Sequence, residues 1–345
     1  MQTLMYIRRD LLEQLEESVD WAVTKYGIRA QTPISLEEAS RSALLGAANI
    51  VGFGLGEKIV NGAPQGILSV CGYVVRKAPP QQVESSYLID KIVRDLLPSS
   101  LPLQALSDVM EVGRPTLLHH QGKTYLRVPA GAAIANNTGG PPGTLGAWLT
   151  DGIDSYLLTC WHCAGQPSRS GVTKIKQAPG GNDVADLSGG VDPSTCKLNT
   201  VTIDAAIAKA LRSNNENFLL GIGEVRGTKR VSTTYFEVRK SGAFTHVTGG
   251  GIVHLSSGMH LTDPVSGISR YYDRQLMIQG QPAVGPFAAA GDSGSLVVSS
   301  DNYAVGLLVG GGGSIPQVYL ATPIEPVLNA LRTATALPNL NFVTY

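Results

Sequence analysis

The amino-acid sequence predicts a mainly β protein with a small α+β region before its β domain. Charged residues make up 16% of the 345 residues, against about 25% in an average domain. Glycine occurs 40 times and proline 20 times, which is typical of a protein rich in turns. From residue 128 onwards, short apolar runs alternate with Gly, Asp, Asn and Ser, a pattern that favours an all-β barrel or sandwich.

Ten short apolar runs carry the β prediction. Each run has the length of one strand, and residues that favour turns separate it from the next. The predicted strands span residues 145–149, 156–160, 203–208, 221–225, 235–238, 251–255, 275–278, 295–298, 304–309 and 318–320. A helix over residues 324–331 is predicted to close the domain.

The N-terminal region has a different pattern. Apolar residues at helical spacing predict an amphipathic first helix, and Ser35 with Glu38 resembles a capping box for a second. The predicted helices span residues 2–27, 35–47 and 87–97, and the predicted strands span residues 50–57, 66–77 and 109–112. We therefore expect an N-terminal helix and small α+β region over residues 1–125, a β domain over 126–335 and a tail over 336–345.

Composition and charge exclude several functional classes. Lys plus Arg and Asp plus Glu each number 27, which argues against a nucleic-acid or membrane partner that depends on bulk charge. Four cysteines are too few for a disulfide scaffold. The N-terminal residues lack the apolar stretch of a secretory signal, and no window predicts a transmembrane helix. We expect a cytoplasmic protein with reduced thiols.

Residues 290–298, with the sequence AGDSGSLVV, predict a nucleophilic serine at the edge of a sheet. The glycines around Ser293 allow a tight turn, so the amides of Gly291 and Ser293 can converge on one point. Two convergent amides are what an anionic tetrahedral intermediate requires. Such a serine still needs a base, because a lone hydroxyl is a poor nucleophile near neutral pH.

The sequence offers a base and an acid for this serine. His162 directly follows an apolar run, where the end of a strand would present it to a cleft. Asp204 lies in an apolar segment, where a carboxylate is costly to bury without a partner, and it could hold the imidazole in one tautomer. The order His162, Asp204, Ser293 is the chymotrypsin order. Asp183, Asp186 and Asp192 are alternatives for the acid, but none is followed by so apolar a run.

These residues resemble those of the chymotrypsin-fold (trypsin-like) serine proteases, above all the intracellular bacterial trypsin-like peptidases and the plant narrow-leaf type proteases. The segments that carry the resemblance are GTLGA at 143–147, YLLTCWH at 156–162, IDAAI at 203–207, KSGAFT at 240–245, TGGG at 248–251, FAAAGDSGSLV at 287–297 and ATPI at 321–324. The resemblance implies two six-stranded β-barrels with the site in the cleft between them. It also implies that His162 is the base, Asp204 its orienting acid and Ser293 the nucleophile, with an oxyanion hole formed by the amides of Gly291 and Ser293.

Four further residues are predicted to bind substrate. By the resemblance, Phe287 forms the floor of the primary pocket, and Leu308 replaces a polar residue of glutamate-specific relatives. An apolar pocket gives Arg or Lys no counter-ion, so a small or apolar residue is expected before the scissile bond. The glycine run that starts at Gly310 and Gly311 lacks the ending of a phosphate loop, and we expect it to leave an open backbone edge for an extended peptide.

The sequence leaves three alternatives open, which concern the partner of Asp292, a zinc site and an inactive fold. In secreted relatives a freed N-terminus pairs with the aspartate before the serine, but the sequence names no partner for Asp292. Cys160, His162 and Cys163 could instead bind zinc, with Cys196 as a fourth ligand. A strand would, however, direct the thiols of Cys160 and Cys163 to opposite faces. The fold could also serve as an inactive binding or scaffold module.

The most complete prediction is a serine endopeptidase that hydrolyses peptide bonds through an acyl-enzyme and needs no metal or cofactor. Its partners are protein or peptide substrates, with regulated cleavage of one specific intracellular protein favoured over bulk digestion. Self-association through the N-terminal helix is an additional hypothesis.

Overall fold

The computed structural model describes residues 23–24, 45–60, 63–96, 106–112, 116–117, 125, 128–165, 172–178, 180–212, 218–264, 266–281, 285–312 and 317–343. Most of the two helices predicted over residues 2–27 and 35–47 therefore lies outside the described residues.

Within the described residues the protein is mainly β. In chain order the strands are β1 (Ile50–Val60), β2 (Ala63–Val74), β3 (Leu106–Glu111), β4 (Thr116–Leu117), β5 (Ala133–Asn136), β6 (Gly143–Thr144), β7 (Ala147–Thr150), β8 (Ser155–Thr159), β9 (Lys174–Gln177), β10 (Asp183–Val191), β11 (Thr200–Val201), β12 (Ala205–Ala210), β13 (Phe218–Leu219), β14 (Gly223–Glu224), β15 (Phe236–Gly242), β16 (His246–Thr262), β17 (Ser269–Gly280), β18 (Leu296–Ser299), β19 (Ala304–Gly312), β20 (Val318–Pro323) and β21 (Asn341–Phe342). The α-helices are α1 (Ile89–Leu96), α2 (Trp161–Ala164) and α3 (Ile324–Thr335). Short 3-10 helices span Ala47–Asn49, Pro80–Gln82, Ser85–Tyr87, Pro193–Thr195 and Lys197–Asn199.

The first barrel is formed by residues 133–210. Strands β5, β9, β10, β12 and β8 pair in that order, and every pairing is antiparallel. Residues 143–150 close the ring, because β6 pairs with β5 while β7 pairs with β8. The core includes Trp148, which is buried and donates its indole N–H to the carbonyl of Val128 at 2.8 Å. An apolar side chain buried in this way contributes roughly 1.5–3 kcal/mol.

The second barrel is a closed ring of six antiparallel strands. Strand β15 pairs with β16, β16 with β17, β17 with β20, β20 with β19, β19 with β18, and β18 again with β15. The closed pairing satisfies the backbone groups that an open edge would expose. Helix α3 follows β20 and buries Ile324, Val327, Leu328 and Leu331.

These two barrels confirm the predicted mainly β fold with a double β-barrel. The strand predicted over residues 221–225 is wrong in extent, because only Gly223–Glu224 is a strand and it pairs with β13 outside both barrels. The reason is local: Gly221 and Gly223 have positive φ angles of 70° and 113°, which turn the chain.

The N-terminal strands extend the sheet of the second barrel. Strands β1 and β2 form an antiparallel pair, β3 lies parallel to β2, and β1 pairs with the far half of β16. Helix α1 packs on these strands through Ile89, Ile92 and Val93, in a cluster that includes Tyr271 of β17. The predicted α+β content of this region is confirmed, and the boundary at residue 125 stays a prediction.

No helix in the part of the chain that the structure describes combines the length and the apolar character needed to cross a bilayer. All four cysteines are free thiols, and Cys71, Cys160 and Cys163 are buried.

Candidate active site

His162 and Asp204 form a buried pair at the end of the first barrel. The Nδ1 atom of His162 lies 2.6 Å from Oδ2 of Asp204, and the backbone N–H of His162 donates to Oδ1 at 3.1 Å. The Asp204 side chain is fully buried, and that of His162 is 13% exposed. The register of two strands creates this contact: Ala206 of β12 pairs with Thr159 of β8, so Asp204, just before β12, lies beside the turn of α2 that follows β8.

A tyrosine from the second barrel completes the surroundings of the carboxylate. The hydroxyl of Tyr272 donates to Oδ2 of Asp204 at 3.0 Å, on the same oxygen that accepts from His162. Burial and the neighbouring carboxylate of Asp204 both raise the pKa of Tyr272 well above its usual range. The phenol therefore stays protonated and acts as a donor. No sequence motif contains Tyr272, which lies 68 residues from Asp204, so no local signal pointed to it.

The pKa values of the pair follow from opposing effects. Burial alone would raise the pKa of Asp204, but the charge of His162, its two hydrogen bonds and that of Tyr272 lower it below 3.8. Burial alone would lower the pKa of His162, but the charge of Asp204 and the thiol of Cys163 raise it well above 6.5. The geometry therefore favours an imidazolium–carboxylate pair with Nδ1 directed at the acid.

Ser293 lies in a tight turn just before β18. Gly291 and Gly294 on either side have φ angles of 98° and 89°, which favour glycine. The hydroxyl of Ser293 donates to the carbonyl of Val309 at 2.8 Å. Its own carbonyl accepts from the amide of Thr144 at 2.8 Å and from the thiol of Cys163 at 3.7 Å. The structure thus brings the turn of Ser293 against the helical turn that carries His162.

The two residues predicted for the oxyanion hole lie in the same turn. The carbonyl of Gly291 accepts from the hydroxyl of Thr144 at 2.8 Å, which anchors this turn to β6. Within the turn, the amide of Asp292 donates to the carbonyl of Ala289 at 3.0 Å. The positive φ of Gly291 fits the sequence argument for glycine here, and the role of the two amides stays a prediction.

The structure identifies the partners of Asp292. Lys240 places Nζ 3.0 Å from Oδ2, and neither side chain is exposed. Four further donors bind this carboxylate: the hydroxyl of Thr245 at 2.5 Å and the amides of Phe244 at 2.9 Å, Thr245 at 3.2 Å and Ala289 at 3.0 Å. Burial lowers the pKa of Lys240, and Asp292 offsets part of that effect. The sequence contained a signal for this buried lysine: Lys240 lies two residues after Val238, so both side chains point to the same, inward face of β15.

The predicted pocket residues Phe287 and Leu308 are both fully buried in the apolar cluster of the second barrel. The ring of Phe287 lies 5.7 Å from the ring of Tyr319. The backbone of Leu308 contacts the site, since its carbonyl accepts from the thiol of Cys160 at 3.2 Å and from the amide of Gly294 at 2.8 Å. Contact of either side chain with substrate stays a prediction.

Gly310 and Gly311 follow Val309 directly in β19. On one side they pair with Leu320 and Tyr319 of β20. On the other side they pair with Leu117 and Thr116 of β4. The edge that was expected to be open is therefore paired in this structure, and contact of Gly310 and Gly311 with substrate stays a prediction. A strand from the N-terminal region satisfies the N–H and C=O groups that an open edge would leave unpaired.

The thiol cluster differs from the predicted zinc ligands. Residues 161–164 form a helical turn, so the argument from strand alternation does not apply to Cys160 and Cys163. Among the residues that the structure describes, Cys160, His162 and Asp204 form a group that could hold a metal, because their ligand atoms lie within 4.8 Å of one another. Burial, together with Asp204 and Cys163, raises the pKa of Cys160 well above its usual range, whereas a zinc ligand must be a thiolate.

Solved structures of serine proteases are similar to this chain at low sequence identity. No family model matches the chain. No curated protein matches it either. Among solved structures, a glutamic acid specific serine protease is 18% identical, with a TM-score of 0.46 over 62% of this chain and all of that chain. Cellulomonas bogoriensis chymotrypsin is 20% identical, with a TM-score of 0.44 over 64% of this chain and all of that chain. Thermobifida fusca protease A is 18% identical, with a TM-score of 0.45 over 64% of this chain and all of that chain.

The strand pairing defines the fold. Residues 143–150 close the first antiparallel barrel, which carries His162 and Asp204 at its end, and six antiparallel strands close the second barrel, which carries Ser293. This arrangement of two antiparallel barrels is the chymotrypsin fold of the serine proteases.

Proposed function

We propose that the protein is a serine endopeptidase. The observation that carries this proposal is the buried pair of His162 and Asp204, whose 2.6 Å contact directs Nδ1 at the acid and so supports Nε2 as the proposed base. Ser293 is the proposed nucleophile, because its glycine-flanked turn packs against the helical turn of His162. The three residues share one contact region of the two barrels, as a triad requires.

The proposed reaction proceeds through an acyl-enzyme. The hydroxyl of Ser293, which donates to Val309 in this structure, passes its proton to Nε2 of His162 as its oxygen attacks the peptide carbonyl. The amides of Gly291 and Ser293 stabilise the oxyanion. His162 then protonates the leaving amine, and water activated by the same imidazole hydrolyses the ester. Asp204 holds the ring and stabilises its charged form.

The proposed specificity is for a small or apolar residue before the scissile bond. Phe287 and Leu308 are apolar and lie behind the site in the core of the second barrel. Neither offers a counter-ion, so a buried Arg or Lys of the substrate would stay unpaired. Cleavage-site profiling in a peptide library tests this preference, and efficient cleavage after Arg or Lys contradicts it.

The proposed location is the cytoplasm, and the proposed partners are protein or peptide substrates. The four cysteines are free, and free thiols persist in a reducing compartment. Cleavage of one specific protein, rather than bulk digestion, is the proposed mode of action.

Covalent labelling tests the endopeptidase proposal. A fluorophosphonate should label Ser293 stoichiometrically, and peptide mapping should locate the adduct. Ser293→Ala should abolish labelling, whereas Ser295→Ala, two residues further along the chain, should retain it. Absence of labelling after prolonged incubation favours the inactive scaffold. Stoichiometric zinc in the purified protein, lost with Cys160→Ser, favours the metal-binding alternative.

A further inference from the structure

The edge of β19 nearest Ser293 holds a strand of the chain itself. Thr116 of β4 pairs antiparallel with Gly311, and Leu117 pairs with Gly310. Thr116 also pairs with Thr262 of β16, so β4 lies between two strands of the second barrel. The strand therefore occupies a defined register rather than a loose contact on the surface.

The direction of β4 points its carboxyl end towards the nucleophile. In antiparallel pairing, each step forward along β4 is one step backward along β19. The pairs Thr116 with Gly311 and Leu117 with Gly310 therefore lead to Val309 as the next position. The carbonyl of Val309 accepts the hydrogen bond of the Ser293 hydroxyl at 2.8 Å. A peptide bound like β4 and longer by one residue thus brings that residue to Ser293, on the amino side of the bond to be cut.

Recognition at this edge depends on the backbone. Gly310 and Gly311 have no side chains to block an approaching strand. Gly311 has a φ of 149°, and a Cβ atom there would lie 2.4 Å from the carbonyl oxygen of Val318. Glycine is therefore required by the strand geometry, and the edge accepts an extended peptide through main-chain hydrogen bonds.

The proposed nucleophile lies beside this occupied edge. Ser293 is fully buried, and its hydroxyl donates to the carbonyl of Val309 in the strand that β4 pairs with. A resident strand on the edge next to the serine is what a latent protease requires.

We infer that the segment containing Thr116 and Leu117 is a built-in competitor that occupies the substrate's strand position on β19 and keeps the protease latent. This inference rests on the proposed endopeptidase function. The ligand class of the edge is an extended peptide that runs antiparallel to β19. By sequence, Leu118 follows Leu117, which agrees with the proposed preference for an apolar residue before the scissile bond.

Competition between β4 and substrate depends on tethering. A tethered segment acts at an effective concentration of about millimolar, so it outcompetes a short peptide at micromolar concentration. A strand of only two residues makes few main-chain hydrogen bonds, so a longer bound peptide can replace it. Activation then requires displacement or removal of this segment rather than a change in the triad.

A double proline variant tests the inference. Thr116→Pro with Leu117→Pro removes both amide donors of β4, whereas Thr116→Val with Leu117→Val keeps them and serves as the matched control. The proline variant should raise kcat/KM for extended peptides by about tenfold or more, and the valine variant should match the wild type. Equal kcat/KM in all three proteins, at unchanged melting temperature, overturns the inference.

A peptide added in trans gives a second measurement that does not depend on the folding of the variant. The synthetic peptide GRPTLL, residues 113–118, should inhibit the wild type competitively against an extended substrate, and the control peptide GRPPPL should not. Absence of inhibition by GRPTLL at millimolar concentration contradicts the inference.

Labelling separates this inference from the proposed function. A small fluorophosphonate does not need the β19 edge. If Ser293 is labelled in both the wild type and the proline variant, and both hydrolyse peptides equally fast, the inference about β4 is contradicted and the endopeptidase proposal is not. No labelling in either protein counts against the endopeptidase itself.

Discussion

Lys240 and Asp292 form an ion pair inside the second barrel, with Nζ 3.0 Å from Oδ2 and neither side chain exposed. Asp292 directly precedes Ser293, so this pair anchors the turn that carries the proposed nucleophile. The lysine reaches the carboxylate from β15, within the same barrel. An internal side chain thus supplies the positive charge beside Asp292.

Replacing Lys240 with methionine should destabilise the protein by about 3–5 kcal/mol, because it leaves a buried carboxylate without its cation. Urea unfolding of both proteins measures the difference. Lys229→Met is the matched control, because Lys229 pairs with Asp301 at 2.7 Å and both side chains are 40% or more exposed. That control should change stability far less, because solvent screens an exposed pair. Similar losses of unfolding free energy in the two variants would show that burial of the Lys240–Asp292 pair does not increase its contribution to stability.

Tyr272→Phe should reduce kcat/KM about tenfold, which corresponds to loss of one hydrogen bond to a charged group. Without the phenol, the Asp204 carboxylate holds the imidazolium more strongly, so the apparent pKa in the pH–rate profile should rise. Tyr156→Phe is the control, since it removes a tyrosine–aspartate bond of the same 3.0 Å length, to Asp151, away from the site. A profile that stays unchanged in Tyr272→Phe would limit this tyrosine to a structural role.

Activity should rise with pH through an apparent pKa above 6.5, because only the neutral imidazole of His162 can accept the proton of Ser293. Burial opposes the charged form, but Asp204 and Cys163 raise the pKa of His162, so the base is still protonated at pH 6.5. A profile of kcat/KM against pH checks this, and a midpoint at or below 6.5 contradicts it.

The stability of the fold should depend on pH in two ranges, one set by His162 and the other by Asp204. The raised pKa of His162 stabilises the fold fully below 6.5, and this contribution disappears as pH rises through the folded value. The lowered pKa of Asp204 stabilises the fold above 3.8, and this contribution disappears as pH falls through the folded value. In Asp204→Asn, melting temperatures measured across the pH range should show neither contribution. A pH dependence like that of the wild type in this variant would contradict the role given to the His162–Asp204 pair.

Ser293→Ala should reduce peptide hydrolysis by about four orders of magnitude or more, and His162→Ala should reduce it comparably. The double variant should lose little more, because members of a triad act as a unit. Rates of the purified single and double variants provide the test. Multiplicative losses in the double variant would show that the two residues do not act in one step.

The turn of Ser293 and the class of fold could be predicted from sequence because their signals are local. The glycines around Ser293 determine a turn through their own φ angles, and the apolar runs determine strands through their own periodicity. His162 and Asp204 were found from flanking apolar residues and chain order, although their 2.6 Å contact depends on the pairing of β8 with β12.

Only the tertiary structure decided which distant residues meet these groups. Lys240 reaches Asp292 across 52 residues, and Tyr272 reaches Asp204 across 68. Strand β4 pairs with Gly310 and Gly311, which lie far from it along the chain. A sequence pattern determines the conformation and inward face of each strand, but strand neighbours and their register depend on the closure of the whole barrel.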